Sequence, residues 1–266
     1  MTSPDEMGLT PKAARGYEQF FVPAIFHQWP SIMVAAAGIR DTDDVLDVGC
    51  GTGVFAREVA RRTGSSGSVT GIDLSESMLG VARDMCPSVD FRQGSATNLP
   101  FEDAGFDVVV SSFMLMFIPE PGLAIREMHR VLRPGGRLVV SVWQCLQNNP
   151  VYAALVEATH QVLGKESAES LAWPFALGEA GKLGAIFQTA GIGEVTVSEH
   201  DGSARFPSVE DFVSTEIRAW LLANSVNDQQ MEAVSLELRS RYPDFAASAG
   251  PIEFPLNAVV ARFSRI

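Results

Sequence analysis

Three glycines at alternate positions, Gly49, Gly51 and Gly53, follow an apolar run in VLDVGCGTG, residues 45–53. Glycine accepts left-handed backbone and lets a ligand touch the main chain. Where such a turn ends a strand and opens a helix, the free amides of the helix N-terminus favour a carboxylate or another anion. Asp47, two residues before the first glycine, narrows the choice. Beside a pyrophosphate it repels; beside an ammonium or a sulfonium it attracts. The strict dinucleotide pattern GxGxxG also fails, because its last position is Val54. The turn therefore asks for a ligand with both an amine and a carboxylate, an amino-acid end. A second acidic strand tip, Asp73 in GIDLSESML (71–79), is suited to the two hydroxyls of a ribose, and Leu74 and Met78 are spaced to sandwich an aromatic base. A nucleoside joined to an amino acid is the shape of S-adenosylmethionine.

The elements that must position these residues are legible in the hydropathy rhythm. Short apolar runs at 45–48, 68–72, 89–92, 106–111 and 136–143 alternate with helical patterns near 53–63, 75–85 and 121–132. The last of these helices starts at Pro121, puts Ala124, Ile125, Met128, Val131 and Leu132 on one face, and stops at Pro134-Gly135-Gly136. Alternation of this kind predicts a parallel sheet covered on both faces, with right-handed crossovers. Beyond residue 143 the pattern predicts a helix over 150–164, a loop with Trp173 and Pro174, a helix over 178–190, a strand near 194–204, a helical stretch over 208–241 and a last strand near 253–264. Upstream, 1–16 reads as a flexible arm, and Pro23 and Pro30 divide the aromatic stretch 17–38 into short helices. The expected organisation is an N-terminal arm with cap helices over 1–40, then one domain over 41–266. That domain is Rossmann-like α/β: a seven-stranded, mostly parallel sheet, its last strand antiparallel, with helices on both faces and helical caps. Lid segments are expected near 150–174 and 208–241.

Four segments, VLDVGCGTG, GIDLSESML, QGSATNLPFEDAGFDVVVSSF and VLRPGGRLVVSVW, resemble four successive motifs of the class I S-adenosylmethionine-dependent methyltransferases. The closest subgroup is the small-molecule branch similar to ubiquinone/menaquinone C-methyltransferases (the methyltransferase type 11 domain). The resemblance covers residues 40–145 and extends weakly to 175–192. It implies that Asp47 holds the methionine amine, that the backbone of Gly49, Cys50, Gly51 and Gly53 lines the methionine carboxylate and ribose, and that Asp73 binds the ribose. It further implies that Gly94, Ser95 and Ala96 flank the adenine and that Ser111, Ser112 and Phe113 pass beneath the sulfonium. Relatives often carry Asp at the place of Ser95, whose hydroxyl is a weaker acceptor. Tyr17 and Phe20 are placed to close over the cofactor, as N-terminal helices do in relatives.

Composition removes several other classes. The 266 residues carry 20 basic and 32 acidic side chains, a net charge of −12, so no broad phosphate-binding surface for DNA or RNA is expected. Three scattered cysteines without a CxxC pair argue against disulfides and a metal site. No apolar stretch is long enough to span a bilayer, and the N-terminus lacks a signal-peptide core, so the expected location is cytoplasmic. Among the histidines, His129, His160 and His200 lack any constellation. His27 stands among aromatics and is the weak candidate for acid/base work. Asn149-Pro150-Val151-Tyr152 is similar to the Asn-Pro-Pro-Tyr tetrad of amino-group methyltransferases but follows the fifth strand instead of the fourth, so it reads as a helix start. The expected reaction is C- or O-methylation of a small, mostly apolar acceptor. Aromatic residues outside the sheet motifs, including Phe26, Trp29, Trp173, Phe175, Phe212 and Trp220, supply its candidate enclosure. A cyclase-type or purely binding protein of the same fold is the alternative. A nicotinamide oxidoreductase is disfavoured by Asp47 and Val54, and a macromolecular methyltransferase by the acidic charge.

Overall fold

The chain is seen in a computed structural model that describes residues 10–63, 66–179, 181–220, 226–246 and 250–266. Nine strands occur among them: β1 (Asp44–Val48), β2 (Ser68–Asp73), β3 (Asp90–Gln93), β4 (Phe106–Ser112), β5 (Leu132–Trp143), β6 (Thr196–His200), β7 (Ser203–Phe206), β8 (Ile252–Pro255) and β9 (Ala258–Ser264). Seven form one sheet in the order β3-β2-β1-β4-β5-β9-β6. The first five are parallel to one another; β9 runs antiparallel to β5 and β6. Strand order reverses between β1 and β4, which opens a crevice at the carboxyl ends of those two strands. The glycine turn follows β1 at that place. Residues Val108, Val109 and Val110 of β4 are fully buried, as a central parallel strand covered on both faces requires.

The helices are α1 (Pro11–Gly16), α2 (Trp29–Ala37), α3 (Val54–Ala60), α4 (Glu76–Met85), α5 (Pro121–Val131), α6 (Pro150–Leu163), α7 (Lys165–Ala172), α8 (Lys182–Thr189), α9 (Val209–Trp220), α10 (Asp228–Arg241) and α11 (Pro243–Ala246). In α5, Ala124, Ile125, Met128 and Val131 are buried, the face read from the sequence. The helical cap above the crevice is built from α6, α7, α9 and α10, which pack on one another. Among the described residues no single helix is long and apolar enough to cross a membrane. The pair Pro11–Phe26 and Trp29–Ala37, bent by 68°, passes that test only when joined. Trp29, Met33 and Ala37 of this pair are at most 1% exposed and pack into the core.

Several expectations change, among them that the strand expected near 194–204 is two, β6 in the main sheet and β7 outside it. Residues 11–16 are not an arm but a helix: the Thr10 hydroxyl accepts from the Ala13 amide at 3.2 Å, Pro11 starts the turn, and Ala14 is buried against Met78 and Val81 of α4. Residues 1–9 lie outside the described set. Pro23 does not break its segment, because Tyr17–Phe26 is a π-helical run whose wider turn takes the proline inside it. The last strand is two: β8 pairs with β7 in a separate two-stranded sheet, and β9 joins the main one. Between them Asn257 donates its amide to Asn149 Oδ1 at 2.7 Å, while Asn149 Nδ2 donates to the Gln144 carbonyl at 2.9 Å. Asn149 is thus a buried tie at the helix start, with Pro150 opening α6. Finally, β5 begins at Leu132, ahead of Pro134-Gly135-Gly136.

Candidate active site

The turn after β1 keeps its shape through three left-handed glycines, with φ of +73° at Gly49, +53° at Gly51 and +79° at Gly53. A Cβ on Gly49 would lie 2.2 Å from Met114 Cγ, and one on Gly53 would lie 2.9 Å from Phe91 Cζ. Asp73 braces the turn from β2. Its Oδ2 accepts from the Gly51 amide at 2.8 Å and its Oδ1 from the Ser75 amide at 2.9 Å. Burial pushes the Asp73 carboxyl up, and those amides pull it back.

Asp47 is the opposite case. It is 1% exposed, and neither carboxylate oxygen has a hydrogen-bond partner. Burial, reinforced by the charge of Asp73, pushes its carboxyl up to about 8; the Ala56 amide acts the other way but not within bonding geometry. Asp47 lines a cavity of about 430 Å³, counted to its open mouth, together with Tyr17, Trp29, Gly49, Thr52 and Ser112. Trp29 Nε1 and Thr52 Oγ1 are also buried and unpaired. Buried polar groups are nearly always bonded. An unpaired carboxylate, indole N–H and hydroxyl around one cavity are the pattern that a bound ammonium and carboxylate complete, so these residues fit the amino-acid end of S-adenosylmethionine.

The N-terminal cap closes this cavity. Tyr17 stacks with Phe21 at 5.6 Å between ring centroids and packs against Phe26 at 5.5 Å. Burial, then the charges of Asp73 and Glu18, push its phenol up. Glu18 pairs with Arg57 of α3 at 2.7 Å, and Arg57 donates to the Thr52 carbonyl at 2.7 Å. One arginine thereby clamps the cap to the helix that leaves the turn. Cys50 lines the cavity with its thiol raised, by burial first and by Asp47 next.

The other singled-out residues are distributed around this centre. The Gly94 amide donates to the Asp73 carbonyl at 2.9 Å. The Ser95 hydroxyl is engaged by Thr97, at 2.9 Å from its hydroxyl and 3.2 Å from its amide. Ala96 is half-buried against the core. Met78 is buried with Ala14, Val81 and Tyr17, whereas Leu74 is 45% exposed. None of these, nor Ser111, which is fully buried, lines the 430 Å³ cavity. His27 is exposed and lines neither this cavity nor the one described next.

A second cavity, of about 490 Å³ counted to its open mouth, adjoins the first through Tyr17 and Phe26, which line both. Its walls are aromatic. Phe113 and Trp143, at the ends of β4 and β5, stack with centroids 3.9 Å apart. Phe113 holds a left-handed backbone at φ +54°, an unfavourable state for a residue with a side chain. The Trp173 Nε1 donates to the Met116 carbonyl at 2.8 Å, tying the end of α7 to the loop after β4. One carboxylate enters this wall: Glu216 of α9, 3% exposed, accepts from the Tyr152 hydroxyl at 2.7 Å. Trp29 Nε1, Thr52, Tyr152 and Glu216 were not reached as polar site groups from the sequence. For Glu216 the signal was available: it sits with Val209, Phe212, Val213 and Ile217 at helical spacing, an acid on an apolar face. The Trp220 side chain lies outside the described set.

Residues 46–140 match the family model described as Methyltransferase domain. The demethylmenaquinone methyltransferase of Staphylococcus aureus strain MRSA252 is 37% identical over 153 residues, 53% of this chain and 61% of that relative. The ubiquinone/menaquinone biosynthesis C-methyltransferase UbiE of Cellvibrio japonicus is 41% identical over 122 residues, 44% of this chain and 49% of its own length. The chain thus spans less than two thirds of either of these relatives. Against the demethylmenaquinone methyltransferase of S. aureus strain JH9 it is 34% identical over 192 residues, 65% of this chain and 78% of the relative. In fold it is similar to the solved YcgJ protein of Bacillus subtilis, with a TM-score of 0.61 at 18% identity over 90% of this chain and 98% of that one. It is also similar to the [4+2]-cyclase SpnF, with a TM-score of 0.54 at 19% identity over 91% and 82%. At those identities the likeness is one of fold alone.

Proposed function

Since this chain belongs to the S-adenosylmethionine-dependent methyltransferases, we propose that it methylates a small, flat and mostly apolar acceptor held in the aromatic cavity. The observation that carries the reading is the pair of cavities sharing Tyr17 and Phe26, one edged by unpaired polar groups and the other by aromatic rings. The names of the relatives, which are quinone methyltransferases, support a ring-shaped acceptor.

In this reading Asp47 takes the methionine ammonium. The Trp29 N–H and the Thr52 hydroxyl, both unpaired beside the cavity, take its carboxylate, and Asp73 takes the ribose hydroxyls. When bound, S-adenosylmethionine supplies an electrophilic methyl group on its sulfonium. What remains for the protein is to orient the acceptor atom and exclude water. Phe113 and Trp143 stack on each other and Phe26 tilts against both, an aromatic wall suited to orienting a flat ring. The cap over residues 10–40 and the described residues of 150–174 and 208–241 act as the lid.

The test has two stages. S-adenosylhomocysteine titrated by calorimetry should bind at micromolar Kd, about −8 kcal/mol. Label from methyl-labelled cofactor should then pass to reduced naphthoquinone acceptors. Binding without any transfer to quinols or to a metabolite extract would leave a non-transferring protein and overturn the methylation; no binding at millimolar ligand would overturn the cofactor assignment.

A further inference from the structure

We propose that Phe26, together with Tyr17, is the aromatic seat of the cofactor's sulfonium, and that its ring selects the charged methyl donor over neutral molecules of the same shape. The inference deepens the methyltransferase reading and rests on it. Its ground is the place where the two cavities meet. Tyr17 and Phe26 line both. In that reading Asp47, Trp29 and Thr52 fit the amino-acid end of the cofactor in the first cavity, and the acceptor occupies the second. The sulfur stands two methylenes from the α-carbon and must present its methyl to the acceptor. It therefore lies at the junction, beside these two rings.

A sulfonium has no N–H or O–H to donate, so hydrogen-bond acceptors cannot satisfy it as they satisfy an ammonium. A charge taken from water into apolar surroundings still needs compensation. The negative face of an aromatic ring compensates cations of this kind, and the attraction grows as water is excluded. The junction is built for it. Phe26 packs against Tyr17, Phe113 and Trp143 with ring centroids 5.5, 5.6 and 5.7 Å apart, at tilts of 34°, 59° and 36°. Both Tyr17 and Phe26 are half-buried, so each keeps surface for a ligand despite this packing. Among the described residues lining the two cavities there is no lysine, arginine or histidine to repel a cation. The Tyr17 phenol is pushed up by burial, so its ring stays neutral. Phe26 is the cleaner of the two to test, because it carries no polar atom. A charge-selective effect of changing it comes from its π-face, whereas a packing role weakens charged and neutral ligands alike. When the methyl passes to the acceptor, which gives up a proton, the electron pair of the broken C–S bond stays on sulfur and leaves a neutral thioether. The rings then lose their hold, so they favour the charged donor over the spent product. Charge is already dispersing in the transition state, so the rings serve discrimination and not the chemical step.

The probes are S-adenosylmethionine and its carba analogue, in which a CH group replaces the sulfonium sulfur and keeps the methyl, so the two differ in charge and not in shape. Calorimetry on the full chain measures their Kd values for the wild type, Phe26→Leu and Phe26→trifluorophenylalanine. The fluorinated side chain keeps the ring and withdraws charge from its face. The wild type should prefer the sulfonium. Both variants should cut that preference at least about threefold, and the fluorinated protein should bind the carba analogue within about threefold of the wild type. A wild type that binds the two probes equally overturns the proposal. So does a fluorinated protein that keeps the full preference, or variants that lose both probes alike, since Phe26 is then packing only. If Phe26→Leu does not fold, the fluorinated ring decides alone. S-adenosylhomocysteine titrated into the same samples separates the two claims. If it fails to bind the wild type, the methyltransferase reading fails; if it binds and the preference does not depend on the ring, this inference fails alone.

Discussion

Replacing Asp47 by Asn separates what the site costs the fold from what it gives the ligand. The carboxyl is 1% exposed, has no hydrogen-bond partner, and is pushed from 3.8 to about 8, first by burial and then by Asp73. Between those two pH values the folded chain holds a proton that the unfolded chain has released. The contribution of Asp47 to the unfolding free energy therefore falls as pH rises from 3.8 to about 8 and is level on either side. At about 1.4 kcal/mol per unit, the ceiling is about 5–6 kcal/mol; local relaxation brings such penalties to a few kcal/mol. The neighbouring Cys50 thiol and Tyr17 phenol are both raised from already high values, so neither titrates in this window. Asn keeps the shape and removes the charge. In urea unfolding without ligand, Asp47→Asn should exceed the wild type in stability, and the gap should widen by at least ~1 kcal/mol between pH 5.5 and 8.5. The same substitution should harm binding. A cofactor ammonium needs the ionised carboxylate, so S-adenosylhomocysteine binding at pH 7 should release about one proton from the wild type, read as buffer-dependent heat in calorimetry. In the Asn protein that release should vanish and affinity should fall at least tenfold. A stability gap that is constant with pH, together with buffer-independent heat in the wild type, would refute the reasoning.

Three further outcomes follow from the same geometry. Asp73→Ala removes a carboxylate that braces the Gly51 amide and is proposed to hold the ribose; at about 1.5–3 kcal/mol per charged hydrogen bond, S-adenosylhomocysteine affinity should drop at least tenfold in a folded protein, checked by calorimetry beside circular dichroism. Arg57→Ala cuts the clamp between the cap and α3, so amide exchange should speed up in Tyr17–Phe26 while β1 and β4 keep their protection. Binding of S-adenosylhomocysteine should slow exchange in 17–29, 150–174 and 208–241, and protection gained only at 47–53 and 73–78 would remove the case for a lid.

How much of this was legible in the sequence depends on how local each determinant is. The sheet was readable because a parallel α/β unit writes itself in consecutive residues: an apolar run, a turn, an amphipathic helix. Asp47, Gly49, Gly51 and Asp73 lie at strand tips, where the position of one side chain follows from the run that precedes it. The acceptor side has no such grammar. Glu216 meets Tyr152 across a sequence separation of 64, and Trp143 meets Phe26 and Trp29 between segments that only the folded cap brings together. Composition could say that these aromatics needed a place to be buried; it could not say which of them face an empty volume. The π-helical run shows the same limit from the other side. Pro23 carries a strong local preference for ending a helix, yet the segment stays wound because Phe21, Val22, Ala24 and Ile25 are all buried on the molecule behind it. Where tertiary burial outweighs a local signal, the sequence rule fails, and here it fails in the cap that closes both cavities. In the proposed function the acceptor lies apart from the cofactor turn, in the aromatic cavity. Its walls come from the cap, from α6, α7 and α9, and from the ends of β4 and β5, so a change of acceptor can proceed there without disturbing Asp47, the glycine turn or Asp73.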